Sequence, residues 1–138
     1  MRIASLDPGF NTGVAIAILK DSISTGWVTL EKYLLCTIID EPATVANLVL
    51  ASRSTVCLME AKPSNVSDSK TRPNNKLKFL LGGLTIIELL PGIWKPVMKT
   101  RLAALLPWAP ETQHEADAMA ILYYFCLIKY PGRKVQYV

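Results

Sequence analysis

IASLDPGFNTGVAIAILK, residues 3–20, consists of two apolar runs on either side of a polar turn. The first run ends at Asp7, and the Pro-Gly and Asn-Thr-Gly that follow it predict a reversal of the chain. Residues 13–20 are then expected to form a buried strand, and the alternation of residues 25–35 predicts a third strand, antiparallel to the second. The N-terminal part of the chain is therefore predicted to be an antiparallel meander.

Helices and strands alternate in the remainder of the chain. Strands are predicted over 55–60 and 85–90, and helices over about 42–52, 76–83, 97–106 and from Thr112 onward. The last helix is the best defined, because Thr112 and Glu115 form a capping box and an apolar stripe follows, made of Ala118, Ile121, Leu122, Phe125 and Ile128. Crossover connections favour parallel pairing, so the predicted fold class is α/β, with a mixed five-stranded sheet flanked by helices.

Length and composition limit the classes of protein that need to be considered. The 138 residues (15.2 kDa) predict one domain spanning residues 1–138, and 51% apolar residues with 19% charged ones exclude a disordered or fibrous chain. The three cysteines lie in apolar runs and are expected to be free thiols in a reducing compartment. With no signal-peptide pattern and no apolar run long enough to span a bilayer, a cytoplasmic protein without membrane contact is expected.

The net charge of +4 is concentrated in one segment, residues 62–78, where five basic residues face one acid. Polar residues and prolines fill the rest of this segment, which predicts an exposed, mobile loop that either contacts DNA or is simply solvated. A smaller basic cluster, Lys95, Lys99 and Arg101, follows Trp94. The candidate DNA-binding residues are Lys62, Lys70, Arg72, Lys76, Lys78 and Lys99.

Three acids and one histidine stand where packing alone does not require them. Asp7 and Glu60 each end a predicted strand, and parallel strands bring their carboxyl ends to one edge of a sheet. On the last helix, Asp117 falls at the margin of the apolar stripe and His114 near its centre. Each residue also has an ordinary interpretation: Asp7 as a turn residue, Glu60 as a solvated strand end, Asp117 as a complement to the helix dipole, and His114 as a cap-region side chain.

If these four side chains converge, they need a compensating cation. Carboxylate ligands with little sulfur suit Mg²⁺ or Mn²⁺ better than zinc. Two such ions about 3.5–4 Å apart can activate a water and stabilise the leaving oxygen of a phosphodiester.

In local sequence and in order, the three acidic segments resemble those of the RuvC family of Holliday-junction resolvases, which have the ribonuclease-H-like fold. Residues 3–9 look like the family's opening strand and turn, and residues 58–60 (Leu-Met-Glu) look like its second acidic strand end. Residues 114–121 (His-Glu-Ala-Asp-Ala-Met-Ala-Ile) look like its C-terminal helix motif. The resemblance is collinear over nearly the whole chain.

The resemblance implies a function and a role for each site residue. Asp7 would bridge two Mg²⁺ ions (or Mn²⁺), Glu60 and Asp117 would be carboxylate ligands, and His114 would be the fourth member. Residues 93–95 resemble a segment that carries a basic residue near the scissile phosphate in relatives, which makes Lys95, with Lys99 as second choice, a candidate for stabilising charge in the transition state. The implied protein is an endonuclease that resolves four-way DNA junctions as a homodimer, in a compact version typical of a phage or virus acting in its host cell.

Three other interpretations need to be weighed against this one. A ribonuclease-H-fold nuclease could act on other branched DNA or on RNA with the same residues. An actin-like ATPase shares the Asp-Pro-Gly and Thr-Gly pattern but needs two lobes, which 138 residues do not provide. A non-catalytic DNA-binding relative has no use for clustered carboxylates that face a polyanion, so the acidic set speaks against it.

Overall fold

The computed structural model of the protein describes residues 1–62 and 67–138, apart from the side chains of residues 69 and 70. The strands are β1 (Arg2–Asp7), β2 (Asn11–Ser22), β3 (Trp27–Ile39), β4 (Val56–Glu60), β5 (Thr85–Leu89) and β6 (Lys134–Tyr137). The helices are α1 (Pro42–Ala51), α2 (Asp68–Leu80), α3 (Pro91–Met98) and α4 (Gln113–Lys129), with a 3₁₀ helix at Leu102–Trp108.

The strands form a mixed sheet in the order β5-β4-β1-β2-β3-β6. β1, β2 and β3 are the antiparallel meander, β4 and β5 are parallel to β1, and β6 is parallel to β3. The α/β class and the mixed pairing are therefore confirmed. Asn11 and Thr12, expected in the turn, are the first residues of β2 instead, and Gly13, where the strand was predicted to begin, pairs with Asp7.

The number of strands differs from the prediction, because the described chain has six where five were expected. β6 is only four residues long, but Val135 and Tyr137 are buried. The Tyr137 hydroxyl donates to the Met119 carbonyl of α4 (2.6 Å), and the Trp108 indole N–H donates to the Val138 carbonyl (2.9 Å). These are contacts between distant parts of the chain, which a four-residue pattern does not reveal.

The side chains of the sheet form two cores, one on each face. Ile3, Leu58 and Met119 belong to the core beneath α3 and α4, whereas Leu6 and Met59 belong to the core beneath α1 and α2. Successive residues of β1 and β4 thus enter opposite cores, as the two-residue period of a strand requires. Ile128, predicted to lie in the buried stripe of α4, is 53% exposed because it is in the last turn of that helix.

Two helix predictions are wrong. The segment 62–78, predicted to be a mobile loop, contains most of α2, which begins at Asp68 and not near residue 76. The helix packs against α1 and buries Asn74, Leu77 and the following Leu81, so tertiary contacts override a polar composition that predicts no helix. The helix predicted over 97–106 is two helices, α3 and the 3₁₀ helix, with a break after Met98.

Across residues 1–62 and 67–138, no helix is both long enough and apolar enough to span a bilayer.

Candidate active site

The candidate site lies where the carboxyl ends of β1 and β4 approach the first turns of α4. Leu6 is in register with Met59 across the parallel pair, so the next residues, Asp7 and Glu60, end their strands side by side. α4 comes this close because Gly13, opposite Asp7 on β2, has no side chain. A Cβ at this position would overlap the backbone carbonyl of His114, so the approach of α4 depends on this glycine.

A hydrogen-bonded cap fixes the start of α4. The Glu115 N–H donates to Thr112 Oγ1 (3.1 Å), which confirms Thr112 as the N-cap. The buried Glu115 carboxylate accepts from Thr37 Oγ1 (2.9 Å) and from the Glu111 N–H (3.2 Å), and Thr37 Oγ1 is also 2.7 Å from Thr112 Oγ1. Glu115 therefore orients the helix that presents His114, and its own carboxylate is fully engaged.

Asp7 is the centre of the group. Its carboxylate is buried, and Oδ2 lies 3.3 Å from Nδ1 of His114. Burial, with smaller contributions from the negative charges of Glu60 and Asp117, raises the pKa of Asp7 from 3.8 to about 6, and the hydrogen bond from His114 and the charge of Lys62 only partly oppose this. The structure thus brings the predicted acids close enough to repel one another.

Glu60 is held by two residues of the 62–78 segment. Its Oε1 lies 3.3 Å from the Lys62 ammonium, and its backbone carbonyl accepts from the Asn74 side-chain amide of α2 (2.7 Å). Lys62, predicted to bind DNA, therefore lies in the acidic site itself. Within the described chain, Glu60 Oε2 and Asn74 Oδ1 are buried without a hydrogen-bond partner. The sequence does not single out Asn74, because nothing distinguishes it from the other polar residues of that segment.

Asp117 and His114 are at the open side of the group. Asp117 is partly exposed, and its Oδ1 accepts from the Gln113 side-chain amide one turn earlier (2.8 Å). The His114 side chain is 42% exposed, although its stripe position predicted burial. As the side chains stand, no group of three or more His, Cys, Asp or Glu residues in the described ranges is arranged to hold a metal ion.

The donor set nevertheless fits a hard divalent cation. Glu60 has a buried carboxylate oxygen without a partner among the described residues, and burial, together with neighbouring negative charge, raises the pKa of Asp7. A cation would therefore stabilise both carboxylates. Oxygen ligands with one imidazole suit Mg²⁺ or Mn²⁺. Because Asp117 is partly exposed, it can turn toward a bound ion without opening the core.

The predicted active-site lysines lie on α3, across a cleft from Asp117. Lys95 Nζ is 5.5 Å from the centroid of the Trp94 ring, and Lys99 follows one turn later at the end of the helix. Both lysines and Asp117 line one cleft of about 650 Å³. The structure thus brings the α3 lysines to the same side of the molecule as Asp117.

The remaining predicted DNA-binding residues are on α2, in different situations. Arg72 and Lys76 are exposed and line a smaller cleft, of about 270 Å³, together with Gly9 and Phe10 of the turn after Asp7. Lys78 instead forms an ion pair with Glu88 of β5 (3.1 Å), which compensates its charge. The side chain of Lys70 is outside the described part of the chain.

This sheet order, with an acid at the end of each of two adjacent parallel strands and a third on the packed helix, defines the class as a ribonuclease-H-like fold. RuvC of Thermus thermophilus superimposes with a TM-score of 0.70 at 15% identity, covering 97% of this chain and 99% of that one. A T. thermophilus RuvC bound to a Holliday junction substrate gives a TM-score of 0.67, also at 15% identity, covering 97% and 98%.

A viral protein has the same architecture. The fowlpox virus Holliday junction resolvase superimposes with a TM-score of 0.63 at 12% identity, covering 94% of this chain and 99% of that one. Neither the protein-family models nor the curated protein sequences match this chain. The likeness is therefore one of fold, extends over nearly the full length of each partner, and confirms the ribonuclease-H-like fold that the sequence resemblance implied.

Proposed function

We propose that this protein is a divalent-metal-dependent endonuclease that cleaves branched DNA, with four-way junctions as its preferred substrate. The observation that most supports this is the juxtaposition of Asp7, Glu60, Asp117 and His114 at one sheet edge of a RuvC-like fold. The proteins it resembles in structure include resolvases bound to Holliday junction DNA. A non-catalytic DNA-binding protein has no physical use for these repelling carboxylates.

The four residues have distinct roles in the proposed site. Asp7, Glu60, Asp117 and His114 would together hold two Mg²⁺ ions, or Mn²⁺ in their place. Bound there, the ions would supply a water of lowered pKa and neutralise charge on the phosphate. In the absence of ions Lys62 partly neutralises Glu60, and the hydrogen bond to Asp7 orients the His114 ring. Lys95, with Lys99 as the alternative, would stabilise negative charge on the phosphodiester.

Contacts with the DNA backbone are proposed to come from α2. Arg72 and Lys76 are exposed on the side of the β1–β2 turn, next to Asp7, and can neutralise phosphates on a strand that leaves the site. Lys70 belongs to the same proposed set. Lys78 contributes less, since Glu88 already compensates its charge.

A homodimer is proposed because a four-way junction has two equivalent strands to cut, so a two-fold pair of sites matches its symmetry. Three large apolar side chains on α1 and α2 are solvent-exposed: Phe79 (86%), Leu50 (47%) and Leu80 (40%). A second copy that packs on this face would cover them. We further propose that the protein acts in a reducing compartment inside the cell, because Cys36, Cys57 and Cys126 are all free thiols. The likeness to a viral resolvase favours a protein encoded by a phage or virus that acts in its host cell.

The test is cleavage of four-way, three-way and linear duplex DNA with Mg²⁺, with Mn²⁺ and with a chelator. We expect cleavage of the four-way junction that requires a divalent ion, and its loss in Asp7→Asn, Glu60→Gln and Asp117→Asn while junction binding remains. Glu31→Gln, which removes an exposed acid on β3, is the matched control and should cut normally. Cleavage in the chelator, or near-normal rates in any of the three site variants, would contradict the assignment.

The same assay separates the related functions. Stronger cleavage of three-way DNA or of structured RNA would favour a ribonuclease-H-fold nuclease with another branched substrate. Junction binding without cleavage under any metal would favour a DNA-binding protein that is not an enzyme.

A further inference from the structure

The largest of the clefts described above lies between α3 and α4, and the acidic site accounts for only one of its walls. On α4 it is lined by Gln113, Ala116, Asp117 and Ala120, which are spaced as one face of a helix. The opposite wall comes from α3 and from Leu102 at the start of the 3₁₀ helix. A volume of about 650 Å³ falls within the roughly 300–1,000 Å³ typical of sites for small organic groups.

The interior of the cleft is mainly apolar, and its polar groups are few. Ala116 and Ala120 are small, which leaves room beside the half-exposed Leu102. Trp94 is almost fully buried in the wall, and its indole N–H has no hydrogen-bond partner among the described residues. An apolar interior of this size, walled by small alanines and an aromatic side chain, suits a flat aromatic ring.

The rim of the cleft is positively charged on the α3 side. Lys95 and Lys99 are one turn apart, and in the part of the chain that the structure describes neither forms an ion pair with a carboxylate. Unpaired ammonium groups beside an apolar interior are what a nucleotide needs, since its phosphate stays at the surface while its base is buried.

Asp117 connects this cleft to the acidic site, because it lines the cleft and lies one helical turn after His114, whose Nδ1 is 3.3 Å from Oδ2 of Asp7. We propose that the cleft binds one unstacked base of the cleaved DNA strand, from a nucleotide adjacent to the scissile phosphate, with Lys99 on the neighbouring phosphate. This inference rests on the proposed nuclease function and adds a physical reason for selecting branched DNA. A base in continuous duplex must first be unstacked, whereas a base at a branch point is already poorly stacked.

The first test follows the base directly. Four-way junctions with 2-aminopurine at single positions around the cut are titrated with protein in Ca²⁺, so that binding is observed without cleavage. We expect the fluorescence to rise several-fold at one position only, because 2-aminopurine brightens when it leaves the stack. Ala116→Trp fills the cleft and should abolish this rise. Leu106→Trp, on a residue of the 3₁₀ helix that is 69% exposed and does not line the cleft, is the matched control.

The second test measures whether binding of the base in the cleft contributes to the rate of cleavage. Ala116→Trp should cut the intact junction about tenfold more slowly than wild type, the order of magnitude of one base-stacking contact. On a junction with an abasic site at the responding position, Ala116→Trp and wild type should cut at equal rates, because no base remains to be bound. Leu102→Ser changes a half-exposed residue at the rim and, unlike Ala116→Trp, inserts no larger side chain. It should reproduce part of the loss of cleavage rate on the intact junction. Thermal melting verifies that each variant is folded.

Three results would overturn the inference: no 2-aminopurine response at any position, normal cleavage by Ala116→Trp, or an equal defect of Ala116→Trp on intact and abasic junctions. Failure of the proposed function looks different. Wild type would then cut no DNA substrate with Mg²⁺ or Mn²⁺, whereas the 2-aminopurine response in Ca²⁺ would still report whether the cleft takes a base.

Discussion

Replacing Asp7 by asparagine should stabilise the protein when no divalent ion is present, although it removes a residue that the proposed activity requires. The Asp7 carboxylate is buried, and burial together with the charges of Glu60 and Asp117 raises its pKa from 3.8 to about 6. Ionising this group at neutral pH is therefore unfavourable in the folded state. Asparagine has nearly the same shape and can still accept the hydrogen bond from His114, so the change removes mainly the charge.

The magnitude follows from the pKa. Between pH 3.8 and about 6 the folded protein binds more protons at Asp7 than the unfolded chain, so stability falls as the pH rises through this range. A difference of about 2 between the folded and unfolded pKa corresponds to about 3 kcal/mol, lost in full above about pH 6. At pH 7.5 the free energy of unfolding of Asp7→Asn should therefore exceed that of the wild type by up to about 3 kcal/mol, or roughly 10 °C in Tm.

The assay is thermal and urea unfolding from pH 4 to 8 in a chelator, then with Mg²⁺. The wild type should lose stability between pH 4 and about pH 6.5, and Asp7→Asn should lose much less. At pH 7.5, Mg²⁺ should increase the stability of the wild type and have little effect on that of Asp7→Asn, because an ion stabilises a folded protein only when it binds to it. Glu111→Gln, at an exposed acid, is the control and should change stability by less than about 0.5 kcal/mol. An Asp7→Asn protein that is less stable than wild type at pH 7.5 would refute the account of repulsion at this site.

Three further predictions concern the helix, the DNA contact and the glycine. His114→Ala should reduce cleavage strongly with little change in Tm. Glu115→Ala should lose about 1–3 kcal/mol of stability, because the Thr37 hydroxyl and the Glu111 N–H lose the carboxylate that accepts their hydrogen bonds. Melting and nuclease assays would contradict this prediction if the two effects were exchanged. Neutralising Arg72 and Lys76 together should make the log–log salt dependence of junction affinity shallower by about 1.8, and an unchanged slope would mean that α2 does not contact phosphates. Gly13→Ala should destabilise the protein by about 1–3 kcal/mol and abolish cleavage, because the added Cβ would displace the start of α4. Urea unfolding and the nuclease assay measure the two effects. Normal cleavage by this variant would show that the close approach of α4 to β2 is not needed for activity.

The site could be predicted in part because the informative patterns are local. A strand that ends in an acid, and a helix that begins with Thr112 and Glu115, can both be recognised from residues within a few positions of each other. The same patterns, together with the resemblance, were enough to predict the mixed sheet and to bring Asp7, Glu60 and His114 to one edge of it. The predictions that fail concern elements stabilised by contacts between distant parts of the chain. The polar composition of α2 predicts a loop, and β6 is too short to be recognised from its own four residues.

The sequence alone determined the first five strands in their order, the N-cap of α4 and the choice of the four candidate ligands, since each depends on neighbours along the chain. Only the tertiary structure decided which partners those ligands have. Asp7 and His114 are 107 residues apart when they meet, and Asn74 reaches the carbonyl of Glu60 only because α2 packs against α1. Such contacts depend on how closely two packed elements approach. That distance is determined by buried surfaces and by one glycine, Gly13, whose local sequence predicts the start of a strand but not its contact with α4.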